Sequence, residues 1–393
     1  MTAVIVVVGG GLTGLRAALT IQESGQQVQL IEGSSNVGGR VTSQEIDGFT
    51  IDRGFQVINP GYRELERLDI RTHFHPIPAG AVAMVGGQWR FFGDPRREIR
   101  TIVGALPSIA SNPLPFFSLL RAVLVARIEE GESAATFLHR IGISGEIYGA
   151  IVEPFLRGVF LTALTQVDAK FARRVLRSLY RQVPGLPDGG VQALSQELRN
   201  RLKSIQCGEL VHEITRSGKG FSVRTESSII SARKVIVATD YSSAESFSEH
   251  LPHINFARST AWYFTLEDPL PMQHQLHVAS LSSGPIVTAI DLAAVVPSYS
   301  PDGRGLLSVT TLERCEESAV RGQLGEMYGE AITGDLITTF DIDNALPIIA
   351  PGVKRSGIVE DEGLIFAGDY LTEPSQNGAL LSGRLAGEAA INN

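Results

Sequence analysis

The first residues that could do chemistry lie almost at the start of the chain. Residues 4–8 are an apolar, β-branched run that feeds directly into Gly9-Gly10-Gly11-Leu12-Thr13-Gly14, a G-x-G-x-x-G spacing. A strand that ends in this spacing predicts a phosphate cradle opening a helix. Gly9 permits the tight turn, Gly11 lets the backbone approach a pyrophosphate, and Gly14 lets the helix pack closely on the strand. The helix carries Leu12, Leu15, Ala18 and Leu19 on one face and has Gly25 just past its end. Its unpaired N–H groups make Leu12 and Thr13 candidate phosphate contacts. Residues 28–31 predict a second strand ending in Glu32, 18 residues past Gly14, against a usual spacing of about 20. A carboxylate there accepts ribose hydroxyls and repels a 2′-phosphate; Gly33 follows it.

Asn36-Val37-Gly38-Gly39-Arg40 comes next. Two adjacent glycines before an arginine suit a loop wrapping a pyrophosphate from the side opposite the helix, a signal for FAD rather than NAD. With this motif the sequence resembles the flavin amine oxidase and phytoene desaturase superfamily, in which G-G-R follows the fingerprint at this distance. The resemblance reaches the other terminus. Ile365-Phe366-Ala367-Gly368-Asp369-Tyr370 and Asn377-Gly378-Ala379-Leu380-Leu381-Ser382-Gly383 are similar to the closing flavin motif. It implies that Gly368 and Asp369 meet the ribityl and pyrophosphate region. It also implies that Asn377, Gly378 and Ala379 open a helix aimed at the pyrimidine edge of the flavin. Reduced flavin gains negative charge at that edge, and a helix N-terminus carries about half a positive charge.

Three weaker matches lie between the ends. Residues 235–239, Val-Ile-Val-Ala-Thr, resemble the strand that returns the chain to the cofactor domain and add Ala238; Val211 falls where the family contacts adenine through backbone; and residues 187–191, Pro-Asp-Gly-Gly-Val, resemble a Pro-x-Gly-Gly turn. Asp52-Arg53-Gly54-Phe55-Gln56 falls where relatives bring backbone against the flavin ring. The expectation is that Gly54 meets the ring and that Arg53, Phe55 and Gln56 line the reacting face; a plain strand with an arginine at its bend is the alternative.

The elements that must position these residues follow an α/β pattern. The expected fold is a Rossmann-like FAD-binding domain of the glutathione reductase type, with a discontinuous substrate domain of mixed sheet plus helices. The FAD-binding parts are placed at residues 1–60, 183–245 and 336–393, and the substrate parts at 61–182 and 246–335. Residues 96–181 read as mostly helical, an inserted cap with Pro113, Pro115 and Pro154 at starts and breaks. Strand-like runs return at 210–214, 221–225, 235–239, 261–266, 286–290 and 306–310. Residues 364–368 and 375–391 read as a short strand running into an amphipathic helix. Residues 114–128 are the greasiest stretch but are broken by Arg121 and Arg127, so they do not span a bilayer. They suit either a helix buried in the cap or a peripheral dip into a membrane surface.

With 393 residues, a two-domain chain is expected, and 43% hydrophobic with 19% charged residues is a globular balance. A net charge of -8 argues against nucleic acid as a partner. Cys207 and Cys315 are far apart and form neither a disulfide framework nor a thiolate metal site. A reducing, cytoplasmic setting is expected, and the opening residues read as structure rather than as an address. His73-x-His75 and His274-x-x-His277 lack the neighbours a metal needs.

The resemblance implies an FAD-dependent oxidoreductase of the phytoene desaturase-like branch, removing hydride from a small hydrophobic substrate held between cap and flavin. Such chemistry needs little from side chains beyond placing a C–H bond against the ring. Amine oxidation and protoporphyrinogen oxidation are alternatives on the same fold. Residues 240–266 contain no lysine, which most amine-oxidising relatives carry there, and no cysteine follows Cys315, so noncovalent FAD is expected. One fingerprint leaves no NAD(P)H domain, and the electrons then pass to oxygen, a quinone or another acceptor. A different class stays open: a redox-neutral flavin isomerase or a flavin-bearing binding protein.

Overall fold

The computed structural model describes residues 4–78, 80–85, 87–93, 125–145, 148–329 and 332–392. The expected first strand forms over Ile5–Val8 and is buried along its whole length. Val28–Glu32 pairs with it in parallel on one side and Lys234–Val237 on the other. Across the sheet the order is Ile358–Asp361, Leu364–Ala367, Lys234–Val237, Ile5–Val8, Val28–Glu32, Ile205–Cys207. Only the outer hairpin of Ile358–Asp361 with Leu364–Ala367 is antiparallel. Strands buried on both faces must be apolar at every position, which is why Ile5–Val8 does not alternate. Ile5 and Val7 pack with Leu12, Leu15 and Ala18 on one face, while Val6 and Val8 meet Val211, Phe221 and Val223 on the other. That second layer is the antiparallel sheet Val211–Ser217, Gly220–Thr225 and Ile229–Ala232.

The N-terminal, middle and C-terminal segments therefore lie side by side. The fingerprint helix, Leu12–Glu23, crosses the closing helix, Gln376–Asn392, at very short range: a Cβ on Gly383 would sit 2.2 Å from the Thr13 carbonyl oxygen. Ser382, fully buried, accepts the Gly368 N–H at 2.9 Å and donates to the Gly357 carbonyl at 2.6 Å. It ties the closing helix to the turn that carries Gly368 and Asp369.

The second sheet has seven strands, ordered Thr333–Pro347, Phe256–Leu266, Gly305–Thr311, Ile286–Asp291, His277–Val278, Gly80–Val85 and Gln88–Gly93. Its first strand runs antiparallel to Phe256–Leu266 along most of its length and so crosses the boundary expected at 336. The described part of the expected helical insertion consists of Ala134–Arg140, a π-turn at Tyr148–Val152, Glu153–Phe160 and Ala169–Arg181. Asp168 caps the last of these by accepting the Lys170 and Phe171 N–H groups at 2.9 and 3.1 Å, worth about 1 kcal/mol. Leu156, Phe160, Phe171 and Val175 form an apolar cluster that reaches Ile349. Most of the greasy stretch 114–128 lies outside the described residues, as does the rest of 94–124. Among the described residues no helix is long and apolar enough to cross a membrane.

Candidate dinucleotide and reaction site

The turn after Ile5–Val8 is shaped by steric need. Gly9 adopts φ +104°, and a Cβ there would lie 2.6 Å from the Ala238 carbonyl oxygen; a Cβ on Gly14 would lie 1.8 Å from the Gly9 carbonyl oxygen. Gly11 differs. Its backbone is ordinary extended chain, φ −70° and ψ 177°, and a Cβ there would meet nothing within 4 Å. No side chain caps the helix that Gly11 opens, so the first-turn N–H groups of Leu12, Thr13 and Gly14 are donors without helical partners.

Glu32 and the paired glycines close round this turn. The Glu32 carboxylate accepts the Gly10 N–H at 2.5 Å and the Ser34 N–H at 2.7 Å. The Gly38 N–H donates to the Gly10 carbonyl at 2.9 Å, and a Cβ on Gly39 would touch Gly11 Cα at 3.4 Å. Gly33 lies against Leu210, and the Ala238 N–H donates to the Val8 carbonyl at 2.8 Å. Val211 is buried at the start of its strand, in the layer beneath Val8 and Ile31.

Residues 329 positions apart in the chain meet at Arg40. Its Nη2 donates to Asp369 Oδ1 at 2.5 Å and its Nη1 to the Ala345 carbonyl at 3.0 Å. Asp369 is 5% exposed and Arg40 42%. Gln56 Nε2 donates to the Arg40 carbonyl at 2.7 Å, so the Gln56 side chain fastens one loop to the other. The Arg53 N–H donates to the Thr42 carbonyl while its side chain is exposed. Gly54 has φ +87°, and a Cβ there would lie 2.7 Å from Ile342 Cδ1; Phe55 is half-buried against the main core.

At the closing helix, Asn377 Oδ1 accepts the Glu64 N–H at 3.2 Å, turning that side chain toward the helix Arg63–Leu68. The Gly378 and Ala379 N–H groups are taken by Ser375, through its hydroxyl at 3.0 Å and its carbonyl at 2.9 Å. What this end still offers a ligand is its helix-dipole charge, its first backbone N–H groups at Gln376 and Asn377, and the Gln376 side chain. Gln376 Nε2 donates to the Val57 carbonyl at 3.2 Å, and its Oε1 is buried without a partner. A buried carbonyl oxygen lacking a donor, the open space over Gly11 and the uncapped fingerprint helix together fit a dinucleotide whose distal ring presents an N–H.

Gln376, Ser382 and Ala345 make contacts at the candidate site, and motif reading did not single them out. Ser382 lies inside the quoted closing motif, and Ala345 acts through its carbonyl, which no side-chain pattern reports. Asp52 is a fourth. It is 1% exposed, and its Oδ1 accepts the Ser43 hydroxyl at 2.5 Å and the Val191 N–H at 2.9 Å. Its Oδ2 accepts the Tyr299 hydroxyl at 3.3 Å. Burial pushes its carboxyl up to about 6, against the opposing pull of the Ser43, Val191 and Tyr299 hydrogen bonds. Tyr62, near Glu373, is pushed up to about 12 by burial and then by that carboxylate. His75 Nε2 lies 3.0 Å from Asp188 Oδ2, and His274 Nδ1 lies 2.9 Å from the Ala294 carbonyl. Among the described residues no group of three His, Cys, Asp or Glu is placed to hold a metal ion.

Residues 12–391 match the family described as flavin containing amine oxidoreductase. The chain is 22% identical over 382 residues to coproporphyrinogen III oxidase of Bacillus subtilis (strain 168), covering 80% of this chain and 78% of that protein. A stretch of 62 residues is 42% identical to 4,4'-diaponeurosporene oxygenase of Staphylococcus aureus (strain USA300), covering 16% of this chain but only 12% of that protein. An oxidoreductase from Methanosarcina mazei shares the fold, with a TM-score of 0.77 and 15% identity over 99% of this chain and all of that one.

Proposed function

The chain belongs to the flavin-containing amine oxidoreductases, and on that premise we propose that it binds FAD without a covalent bond and uses it to take hydride from a small, largely apolar organic substrate. The observation that carries the reading is the turn at Gly11: an extended glycine with open space where a Cβ would stand, before a helix with no side-chain cap. The first-turn N–H groups of Leu12, Thr13 and Gly14 hold the pyrophosphate, with Gly38, Gly39 and Arg40 closing its far side. Glu32, backed by Gly33, takes the ribose hydroxyls, while the backbone at Val211 and Ala238 borders the adenosine half. Gly368 and Asp369 meet the ribityl chain, and Asp369 keeps Arg40 in place. Asn377, Gly378 and Ala379 supply the positive helix end at the pyrimidine edge, and Gln376 Oε1 accepts an N–H there. Bound in this way, the flavin supplies the hydride acceptor.

Gly54 gives the ring backbone rather than side chain, and Arg53, Phe55 and Gln56 line the reacting face and shape what reaches it. The six-stranded unit carries the cofactor, and the seven-stranded sheet with the apolar helical cluster around Phe160 and Phe171 receives the substrate. The apolar cluster suits the tetrapyrrole body of a porphyrinogen, whose carboxylates would stay outside it, or a polyene, better than a small charged amine, in keeping with the names of the two curated relatives. Cysteine placement supports noncovalent attachment, since neither half-buried cysteine lies in the closing motif. Oxygen or a quinone then reoxidises the cofactor, because the chain carries no second dinucleotide fingerprint.

FAD-reconstituted protein precipitated with acid should release all its flavin to the supernatant. Phe55→Ala and Gln56→Ala should retain FAD yet slow product formation about tenfold or more, with oxygen or a quinone as acceptor. Normal turnover in these two and in Arg53→Ala would contradict the assignment of the reacting face. Glu32→Gln should weaken FAD binding roughly 10-fold, the loss of one charge-assisted hydrogen bond; unchanged affinity by equilibrium dialysis would remove Glu32 from the site.

A further inference from the structure

Asp52 is where four separate pieces of the fold meet. The strand Phe49–Asp52 pairs with Ser43–Ile46, so Ser43 and Asp52 face each other directly. Val191 comes from the Pro-x-Gly-Gly turn, Tyr299 from the short helix Pro297–Tyr299, and Tyr263 from the long strand of the seven-stranded sheet. The Tyr263 hydroxyl donates to the Asp52 carbonyl at 2.7 Å. Gly190 is a glycine for this contact: at φ +85°, a Cβ would lie 2.2 Å from Ser43 Oγ and 2.8 Å from Asp52 Oδ1. The side chain and carbonyl of one residue thus join this two-stranded ladder, the turn and the short helix to the seven-stranded sheet immediately before Arg53 and Gly54.

We propose that Asp52 is a positioning residue, holding residues 53–56 in their reactive arrangement as a carboxylate that gathers the Ser43, Val191 and Tyr299 donors. The role rests on those residues lining the reacting face, as assigned above. An ionised Asp52 accepts all three bonds, whereas the protonated acid must turn one of its oxygens into a donor. Three donors converge on the carboxylate with no cation among them. The groups facing it are the Tyr263 and Tyr299 hydroxyls. Beyond them, on the turn, Asp188 is engaged with His75 and Ser298. Arg53 beside it is exposed, and Arg304 stacks over the Phe49 ring at 5.3 Å from its centroid. Among the described residues no lysine, arginine or histidine is hydrogen-bonded to Asp52, so its ionisation is governed by burial and by these donors.

The sign of the pH effect follows. The carboxyl is harder to ionise in the fold than in the unfolded chain, so the folded state binds the extra proton. Its contribution to stability therefore falls as pH rises from the ordinary carboxyl range through about 6, then levels. Asp52→Asn keeps the shape and accepts from Ser43 and Val191 but cannot ionise. Melting temperatures of the flavin-free parent and variant should diverge in the variant's favour across that window; a difference that does not change with pH would overturn the proposal. With FAD bound, the parent's visible band should shift with a midpoint near pH 6 and the variant's should not. Tyr299→Phe, which removes one donor to the carboxylate, should move that midpoint upward. A pH-independent band in the FAD-loaded parent would leave Asp52 structural and refute positioning. Failure of the parent to take up FAD would instead refute the cofactor reading, and the positioning role with it.

Discussion

Gly11→Ala is expected to abolish flavin retention while leaving the melting temperature of the flavin-free protein within about 2 °C of the parent's. The separation of the two effects is the point. Gly11 has a backbone conformation open to any residue, and a methyl group there meets no protein atom within 4 Å. Two small terms oppose each other in the free protein. Alanine is a poorer helix N-cap than glycine, and it restrains the unfolded chain by roughly 0.4–1 kcal/mol in the opposite sense. Against a pyrophosphate drawn onto the first-turn N–H groups the methyl has no room, and the geometry of the whole cradle is lost. Gly14→Ala makes the contrast, since its Cβ would stand 1.8 Å from the Gly9 carbonyl oxygen and both folding and binding should fail. Thermal melts with and without FAD distinguish the cases; an alanine at 11 that still retains FAD would show that the open space has another purpose.

Gly383→Ala is expected to destabilise the flavin-free protein by about 3 kcal/mol, at the upper end of overpacking effects, and to lower its melting temperature by roughly 4 °C. The new Cβ would lie 2.2 Å from the Thr13 carbonyl oxygen and 3.0 Å from Arg16 Cβ. One of these is backbone, so no rotamer change relieves it and the two helices must part. Gly387 repeats the close approach one turn on, at 2.7 Å from Thr20 Cβ. Parting the helices moves Thr13 in the cradle and the Ser382 tie to Gly368 together, so FAD affinity should fall in whatever protein remains folded. Gly322→Ala is the control, on the exposed face of the helix Glu317–Tyr328 with nothing within 4 Å. It should stabilise by about 0.5–1 kcal/mol from helix propensity alone. Equal melting temperatures for the Gly383 variant and the parent would refute the tight crossing.

Much of the cofactor-binding fold was legible because its constraints are local. A glycine spacing of a few residues after an apolar strand encodes a turn that only that chain segment makes, and the β-branched run over residues 4–8 read as the strand that feeds it. Likeness at both termini implied only that the two ends share one cofactor; the contact of Arg40 with Asp369 itself was not legible, since nothing near either residue specifies a partner 329 positions away. Asp52 read as the ordinary end of a strand: its burial and three donors depend on Ser43, Val191 and Tyr299, each remote or across a turn. The strand Thr333–Pro347 was missed for a compositional reason. Gly334, Asp335, Asp341, Asp343 and Asn344 all disfavour strand. They are tolerated because this is the sheet's edge, where outward positions reach solvent and acidic side chains find Arg314 and Arg258. The closing helix shows a subtler limit. Its existence was plain, but the engagement of the Gly378 and Ala379 N–H groups by Ser375, and the free acceptor on Gln376, depend on side-chain directions that no spacing encodes.

The most direct test of hydride removal by a bound flavin is an anaerobic visible spectrum of the FAD-loaded protein, titrated in turn with porphyrinogens, carotenoid or isoprenoid polyenes, and amines. Bleaching of the oxidised-flavin band by a porphyrinogen or polyene, and its return on admitting oxygen or a quinone, is the result predicted here. A band that none of these compounds bleaches would contradict the oxidoreductase account and favour a redox-neutral role for the same cofactor; bleaching by amines alone would contradict the apolar substrate.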